Sequence, residues 1–284
     1  VGDGNGQARL NYLRGESVNE NAGLNFRARG CTDLATGTSV ACTPNNGRLG
    51  DIINSAPMYV EKPSNYYSDT MESEPYSAFV TANQTRTPMV YLGANDGMLH
   101  GFNATTGDEL LAYVPSQVYA NLSLLTASNY THRYYVDGNP TAADVFINIP
   151  GVTSGQDWRT VLIGGLRKGG KGYYALDITN PASFSEANAS NTVLGEFTDP
   201  DLGYTYSQPS IVKMANGKWA AVFGNGYNNV SPGNGHAILY IVFIENGIDG
   251  TWTLGTDFIK IDTNVGSTVT PNGLATPGVI DINR

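Results

Sequence analysis

Four prolines, Pro57, Pro140, Pro209 and Pro277, each open a β-prone run: Met58-Tyr-Val, Thr141-Ala-Ala-Asp-Val-Phe-Ile, Ser210-Ile-Val-Lys-Met and Gly278-Val-Ile-Asp-Ile. The intervals are 83 residues (57 to 140), 69 (140 to 209) and 68 (209 to 277). After each of the first three comes an apolar run ending in glycine: Met89-Val-Tyr-Leu-Gly93, Thr160-Val-Leu-Ile-Gly164 and Ala220-Ala-Val-Phe-Gly224. A Gly-rich turn leads to a third run, Gly97–Phe102, Gly172–Ile178 and Gly235–Phe243, and a fourth closes each unit: Glu109–Val114, Thr192–Phe197 and Thr251–Gly255. Proline fits the first position of an inner strand, where φ is fixed and no ladder donor is yet needed, so the Pro-led strands are expected innermost. Four successive short strands per unit, repeated, predict an all-β chain, a β-propeller of four-stranded antiparallel blades, over about 48–115, 132–200 and 205–262. A sandwich of two sheets is the competing architecture. Three blades and the opening strand of a fourth cannot close a ring, so the chain reads as an incomplete propeller, a piece of something larger.

Helical windows are few: one around Leu10–Arg14 and one over Tyr119–Ser128. The length beyond a 40 to 50 residue blade lies in polar insertions, Glu61–Thr87 and Pro115–His132. Residues 1–47 form a lead-in segment and 48–284 the propeller.

The chain carries 25 acidic against 16 basic side chains, a net charge of −9, and only 14% charged residues. Without a Lys/Arg cluster typical of polyanion binding, this balance argues against nucleic acid or an anionic membrane surface as partner. No apolar run reaches the roughly 20 residues of a membrane span, and no signal-peptide pattern opens the chain, so a soluble segment or mature product without membrane insertion is expected. Cys31 and Cys42 bracket a polar, turn-rich excursion. They read as a disulfide stapling its base in an exported protein, with two free cytosolic thiols as the alternative.

Few segments resemble a catalytic or ligand motif. Gly165-Leu-Arg-Lys-Gly-Gly-Lys171-Gly172 has the glycines and lysine of a phosphate loop. However, Gly172 stands where a Ser or Thr should bind magnesium, and Tyr173-Tyr-Ala-Leu-Asp reads as strand where a helix N-terminus is needed. His100, His132 and His236 are dispersed and show no zinc-ligand spacing. There is no Gly-x-Ser-x-Gly elbow. Asp199-Pro-Asp201 is an ordinary turn, and nothing in the sequence demands an enzyme. Asp281-Ile-Asn283 has the Asp-x-Asn opening of a calcium loop, whose oxygen ligands recur at positions 1, 3 and 5; Asp3-Gly-Asn5 and Asp262-Thr-Asn264 share the pattern as turn residues.

The runs Val90–Gly107, Leu49–Pro57, His132–Pro140 and Trp158–Thr179, taken together and in order, resemble the C-terminal propeller of PilC/PilY-type type IV pilus tip proteins over roughly residues 7–284. The first of them is similar to the blade signature of quinoprotein-type propellers. The resemblance implies a non-enzymatic, secreted or surface-exposed protein at the pilus tip or outer membrane. It would associate with minor pilins, promote pilus extension and twitching motility, and mediate adhesion to host or abiotic surfaces. In that family the strand matching 277–283 continues into an Asp-x-Asn-x-Asp-Gly-x-x-Asp loop, so Asp281 and Asn283 are the implied calcium ligands, two of a set that this chain does not complete. Two alternatives come from other classes: a quinone-dependent dehydrogenase propeller and a structural scaffold of outer-membrane assembly. The first usually has an adjacent cysteine pair, which this chain lacks.

Overall fold

The computed structural model describes residues 4–20, 24, 26–32, 39–40 and 49–280. Cys42, Asp281 and Asn283 lie outside the described residues, so the disulfide and the calcium pair are not part of the architecture below. A short helix α1 (Gly6–Leu13) and a two-stranded ribbon, β1 (Cys31–Thr32) with β2 (Ser39–Val40), precede three four-stranded antiparallel sheets. The first holds β3 (Met58–Val60), β4 (Met89–Gly93), β5 (Leu99–Asn103) and β6 (Glu109–Tyr113). The second holds β7 (Thr141–Asn148), β8 (Gln156–Gly165), β9 (Tyr173–Asp177) and β10 (Val193–Phe197). The third holds β11 (Ser210–Lys213), β12 (Trp219–Gly224), β13 (His236–Phe243) and β14 (Phe258–Gly266). Strands pair in sequence order in every sheet, the meander of a propeller blade. The Pro-led strands approach each other between sheets, β7 lying against β3, β11 and also β12.

Alternation along the second blade shows how blades stack. Val161, Ile163 and Tyr173 point into one cluster shared with Trp219, Phe223 and Tyr240 of the third blade, while Leu162, Leu176 and Tyr174 point into another shared with Met89, Tyr91 and Leu99 of the first. Successive side chains of a strand leave opposite faces, so a blade buried on both faces shows a continuous apolar run. That is what Thr160–Gly164 and Ala220–Gly224 are.

Two expectations are corrected. Thr251–Gly255 does not close the third blade: β14 does. Gly255 has φ +87°, the Asp257 carboxylate accepts from the Thr253 N–H at 2.8 Å, and Trp252 donates from its indole to the Glu196 carbonyl of the second blade at 2.7 Å. The segment is therefore a turn whose tryptophan is spent between blades. The insertion Glu61–Thr87, read as polar and outside the two helical windows, carries helix α2 (Tyr76–Ala82), whose Tyr76 and Phe79 are buried. Tyr67 stacks on Trp158 with centroids 5.5 Å apart, the Glu74 carbonyl accepts from the Trp158 indole at 2.8 Å, and Glu72 accepts from the Trp219 indole at 2.9 Å. An excursion from the first blade thus seals the second and third blades at the far ends of β7 and β11. No helix among the described residues is long and apolar enough to cross a membrane.

Candidate functional site

The repeat's recurring residues meet where each blade hands over to the next. The glycine ending the second strand is required by close approach: a Cβ at Gly93 would lie 2.3 Å from the Val136 carbonyl oxygen, and one at Gly224 would lie 2.3 Å from that of Leu274. Any side chain there would drive the next lead-in off the blade. The Gly93 N–H is bonded by Ser55 Oγ at 2.8 Å and the Gly224 N–H by Ser207 Oγ at 2.9 Å, both two residues before the unit's proline. In the second unit Gly138 holds that place, with the Gly165 carbonyl packed against it.

Side chains then latch one unit to the next. Asn95 Oδ1 accepts from the Tyr135 N–H at 3.0 Å; Thr205 Oγ1 accepts from the N–H groups of Leu166 and Arg167 at 2.7 and 3.1 Å; Asn225 Oδ1 accepts from the Leu274 N–H at 3.0 Å. The pre-proline residues are chained as well, Asn139 accepting from the Ala56 N–H at 2.8 Å and Thr276 from the Gln208 N–H at 2.9 Å. Thr276 thereby ties the Pro277 segment to the third blade, five residues before Asp281. Residues 277–280 are irregular, so the described part of the expected fourth opening strand is not a strand.

Among the described residues no group of three or more His, Cys, Asp or Glu could hold a metal ion. Each histidine has a carboxylate partner of its own. His132 Nε2 lies 2.7 Å from Asp51, and His236 Nδ1 lies 2.9 Å from Asp262. His100 is buried, its Nδ1 2.5 Å from Glu109 and its Nε2 3.1 Å from Asp96. Burial works against its charge, but hydrogen bonds to Asp96 and Glu109 outweigh that and push its pKa up to about 9. Asp262, read in sequence as a turn residue, lies instead within β14, paired with Ile238 beside a register shift; its carboxylate accepts from the Asn264 N–H at 2.7 Å, where Asn264 takes φ +57°.

The Asp199-Pro-Asp201 turn does more than change direction. Lys260 Nζ sits 3.0 Å from Asp199 and 2.7 Å from Asp201, and the Tyr240 hydroxyl donates to Asp199 at 2.6 Å. Sequence reasoning also missed the buried Asp144, which accepts from Tyr76 and Thr160 hydroxyls, both at 2.6 Å, and from Asn65 at 3.0 Å. Its only trace is a lone carboxylate in the apolar run Ala142–Ile147. These carboxylates are consumed by neighbours, and none is poised for acid–base chemistry in a cleft. The Gly165–Gly172 segment joins β8 to β9, strand to strand, without a helix N-terminus for a nucleotide phosphate.

The family model of the PilY1 beta-propeller domain matches residues 49–284. The chain is 42% identical over 289 residues to the type IV pilus biogenesis factor PilY1 of Pseudomonas aeruginosa strain PAK, an alignment covering 100% of this chain and 21% of that protein. It is 38% identical over 283 residues to a PilY1 homolog of Xylella fastidiosa strain Temecula1, covering 96% of this chain and 17% of the relative. The crystal structure of the Pseudomonas aeruginosa PilY1 C-terminal domain superimposes with a TM-score of 0.60 at 40% identity, over 79% of this chain and 40% of that one. The chain thus spans about a fifth of the length of these curated relatives. With its meandering blades, its glycine joints and this match, the chain belongs to the PilY1 β-propeller domain family.

Proposed function

We propose that this chain is the propeller core of a type IV pilus biogenesis factor, acting by binding and not by catalysis, at the cell surface or the pilus tip. The family match over residues 49–284 carries this reading, together with 42% identity over the whole chain to a protein named as such a factor. Minor pilins are the proposed partners, pilus extension and twitching motility the proposed output, and adhesion to host or abiotic surfaces a further one. Deleting residues 49–284 in the producing cell should reduce surface pili, and immobilised chain should retain minor pilins from a pilus preparation. Retention of none, with normal piliation in the deletion strain, would refute the reading.

Calcium is proposed to act through a loop opening at Asp281 and Asn283. A carboxylate and an amide oxygen are the hard donors calcium selects, and the Thr276–Gln208 bond supports the idea by holding the approach to this loop against the third blade. A metal bound only by the folded state adds stability by mass action, so calcium would brace that blade edge. In a chain continuing past Arg284, Asp281→Ala should abolish calcium binding by calorimetry and lower piliation while leaving the melting temperature in chelator unchanged. Unaltered calcium affinity in that variant would remove Asp281 from the site.

A further inference from the structure

The phosphate-loop look-alike, Gly165–Gly172, gathers three of the chain's 16 basic side chains within five residues at the Pro-led ends of β7 and β11, and its backbone is locked. Arg167 holds a left-handed φ of +49°, a conformation uncommon outside glycine and asparagine and worth reading as a sign of function. Thr205 Oγ1 binds the N–H groups of Leu166 and Arg167. A Cβ at Gly169 would meet the Tyr135 carbonyl oxygen at 1.7 Å, so the loop lies flat on the lead-in of its own blade.

The cations are propped on tyrosines, and Arg167 alone of the three has a carboxylate in ion-pair reach among the described residues. Arg167 stands over Tyr206 at 4.9 Å, Lys168 over Tyr134 at 5.3 Å and Lys171 over Tyr204 at 5.9 Å. Cation–π stacking fixes a charge without cancelling it. Lys171 donates to the Asn228 carbonyl at 2.7 Å. Among the described residues, the side chains of Arg167 and Lys168 donate no hydrogen bond, and the one carboxylate within ion-pair reach of the three cations is Asp137, 3.9 Å from Arg167 Nε. In a chain of net charge −9, where every histidine and Lys260 has a carboxylate within 3.1 Å, this is a displayed positive surface.

Beside Arg167, a cleft of about 20 Å³ is lined by Gly138, Asn139, Thr205, Tyr206 and Gln208. Such a volume admits a group the size of a water molecule or a carboxylate oxygen, and not a sugar ring. We propose that the Arg167–Lys168 face is a docking surface for an acidic polypeptide segment, with one carboxylate seated at the cleft and paired with the Arg167 guanidinium and others held by Lys168. This inference stands on local chemistry and is independent of the pilus reading.

The test is fluorescence anisotropy of a labelled (Glu-Gly) repeat peptide titrated with the 284-residue chain at low salt. The expected result is saturable binding that weakens as salt rises, is weaker by about tenfold in the Arg167→Gln, Lys168→Gln double variant, and is largely retained in Arg167→Lys, Lys168→Arg. Lys168 is exposed and Arg167 half-buried, its side chain 28% exposed, so an unchanged melting curve is required to verify the fold. A (Gln-Gly) peptide binding as well, an unaltered double variant, inorganic phosphate competing at the same concentration as the peptide, or tighter binding of a heparin hexasaccharide would each overturn the assignment.

Discussion

The joint between the first and second blades and the joint between the second and third are built on the same glycine latch but bury tyrosine differently. In the second joint Tyr173 donates its hydroxyl to the Ser207 carbonyl at 2.6 Å and Tyr240 donates to Asp199 at 2.6 Å. In the first, the buried Tyr91 and Tyr174 hydroxyls have no partner among the described residues, nor does the neighbouring Arg86 Nε. Desolvation raises the pKa of all four tyrosines far above the ordinary value, so the difference between the joints is one of hydrogen bonding and not of ionisation. A shared backbone joint therefore does not make equal interfaces: Tyr173 and Tyr240 add packing and satisfied hydroxyls to the second, whereas at the first Tyr113 is satisfied by Glu196 at 2.6 Å but Tyr91 and Tyr174 add packing less the cost of orphaned hydroxyls.

The largest way to break the contrast is at the second joint's aromatic centre. Trp158 is 1% exposed and in ring contact with Tyr67, Tyr76, Phe146 and Trp219. Trp158→Ala should cost about 3–5 kcal/mol in denaturant unfolding, and release the Glu61–Thr87 insertion to protease. A loss below about 1 kcal/mol would mean that the insertion does not seal this joint.

Beside the first joint's orphaned groups, the first blade satisfies His100 on both ring nitrogens. With a folded pKa of about 9 against about 6.5 unfolded, the folded state binds the proton more tightly. The stabilisation is complete below pH about 6.5 and fades as pH rises to about 9, amounting to about 3 kcal/mol. Stability should fall over that window, and His100→Gln should flatten the fall. An identical pH profile in the variant would disprove the paired, charged state.

The blades were legible because their signals are local and steric. Pro57, Pro140 and Pro209 precede β3, β7 and β11 directly, and Gly93 and Gly224 end strands for want of room. Phe258–Gly266 was not legible as the closing strand: beyond Phe258 its residues are intermediate or exposed, as suits an outer strand, and the aromatic Thr251–Gly255 run competed for the place. Helix α2 escaped because Met71–Ala82 is punctuated by Glu, Ser and Pro, and only tertiary burial of Tyr76 and Phe79 decides its state. The partners of Asp144, Lys260 and His100 join residues distant in sequence or across strands, which no local pattern encodes. The cationic loop was visible as a motif, and its chemistry emerged only once Tyr134, Tyr204 and Tyr206 were placed beneath it.

Tyr240→Phe tests the satisfied side of the contrast. The hydroxyl removed donates to a carboxylate that keeps Lys260 and the Asp201 N–H, 2.9 Å away, so Asp199 is not stranded and the loss should be about 1–2 kcal/mol. A double-mutant cycle with Lys260→Met should show coupling, because both groups share one oxygen, Asp199 Oδ1. Additive effects would mean that the three groups do not act as a network.

Tyr91→Phe has the smallest expected effect and the opposite sign. The ring is fully buried and pressed against Gly101, where a Cβ would lie 2.8 Å from Tyr91 Cε1, so phenylalanine fills the same space. What is removed is a hydroxyl that left water without gaining a partner, a loss that in folding costs about 1–3 kcal/mol. Part of that cost should be recovered, giving an unchanged or slightly raised unfolding free energy, up to about 1 kcal/mol higher. Measured beside Tyr240→Phe in the same denaturant series, the two substitutions delete the same atom from the same residue type at equal depth. If both destabilise alike, the first joint satisfies its tyrosine in solution after all, and the contrast between the joints disappears.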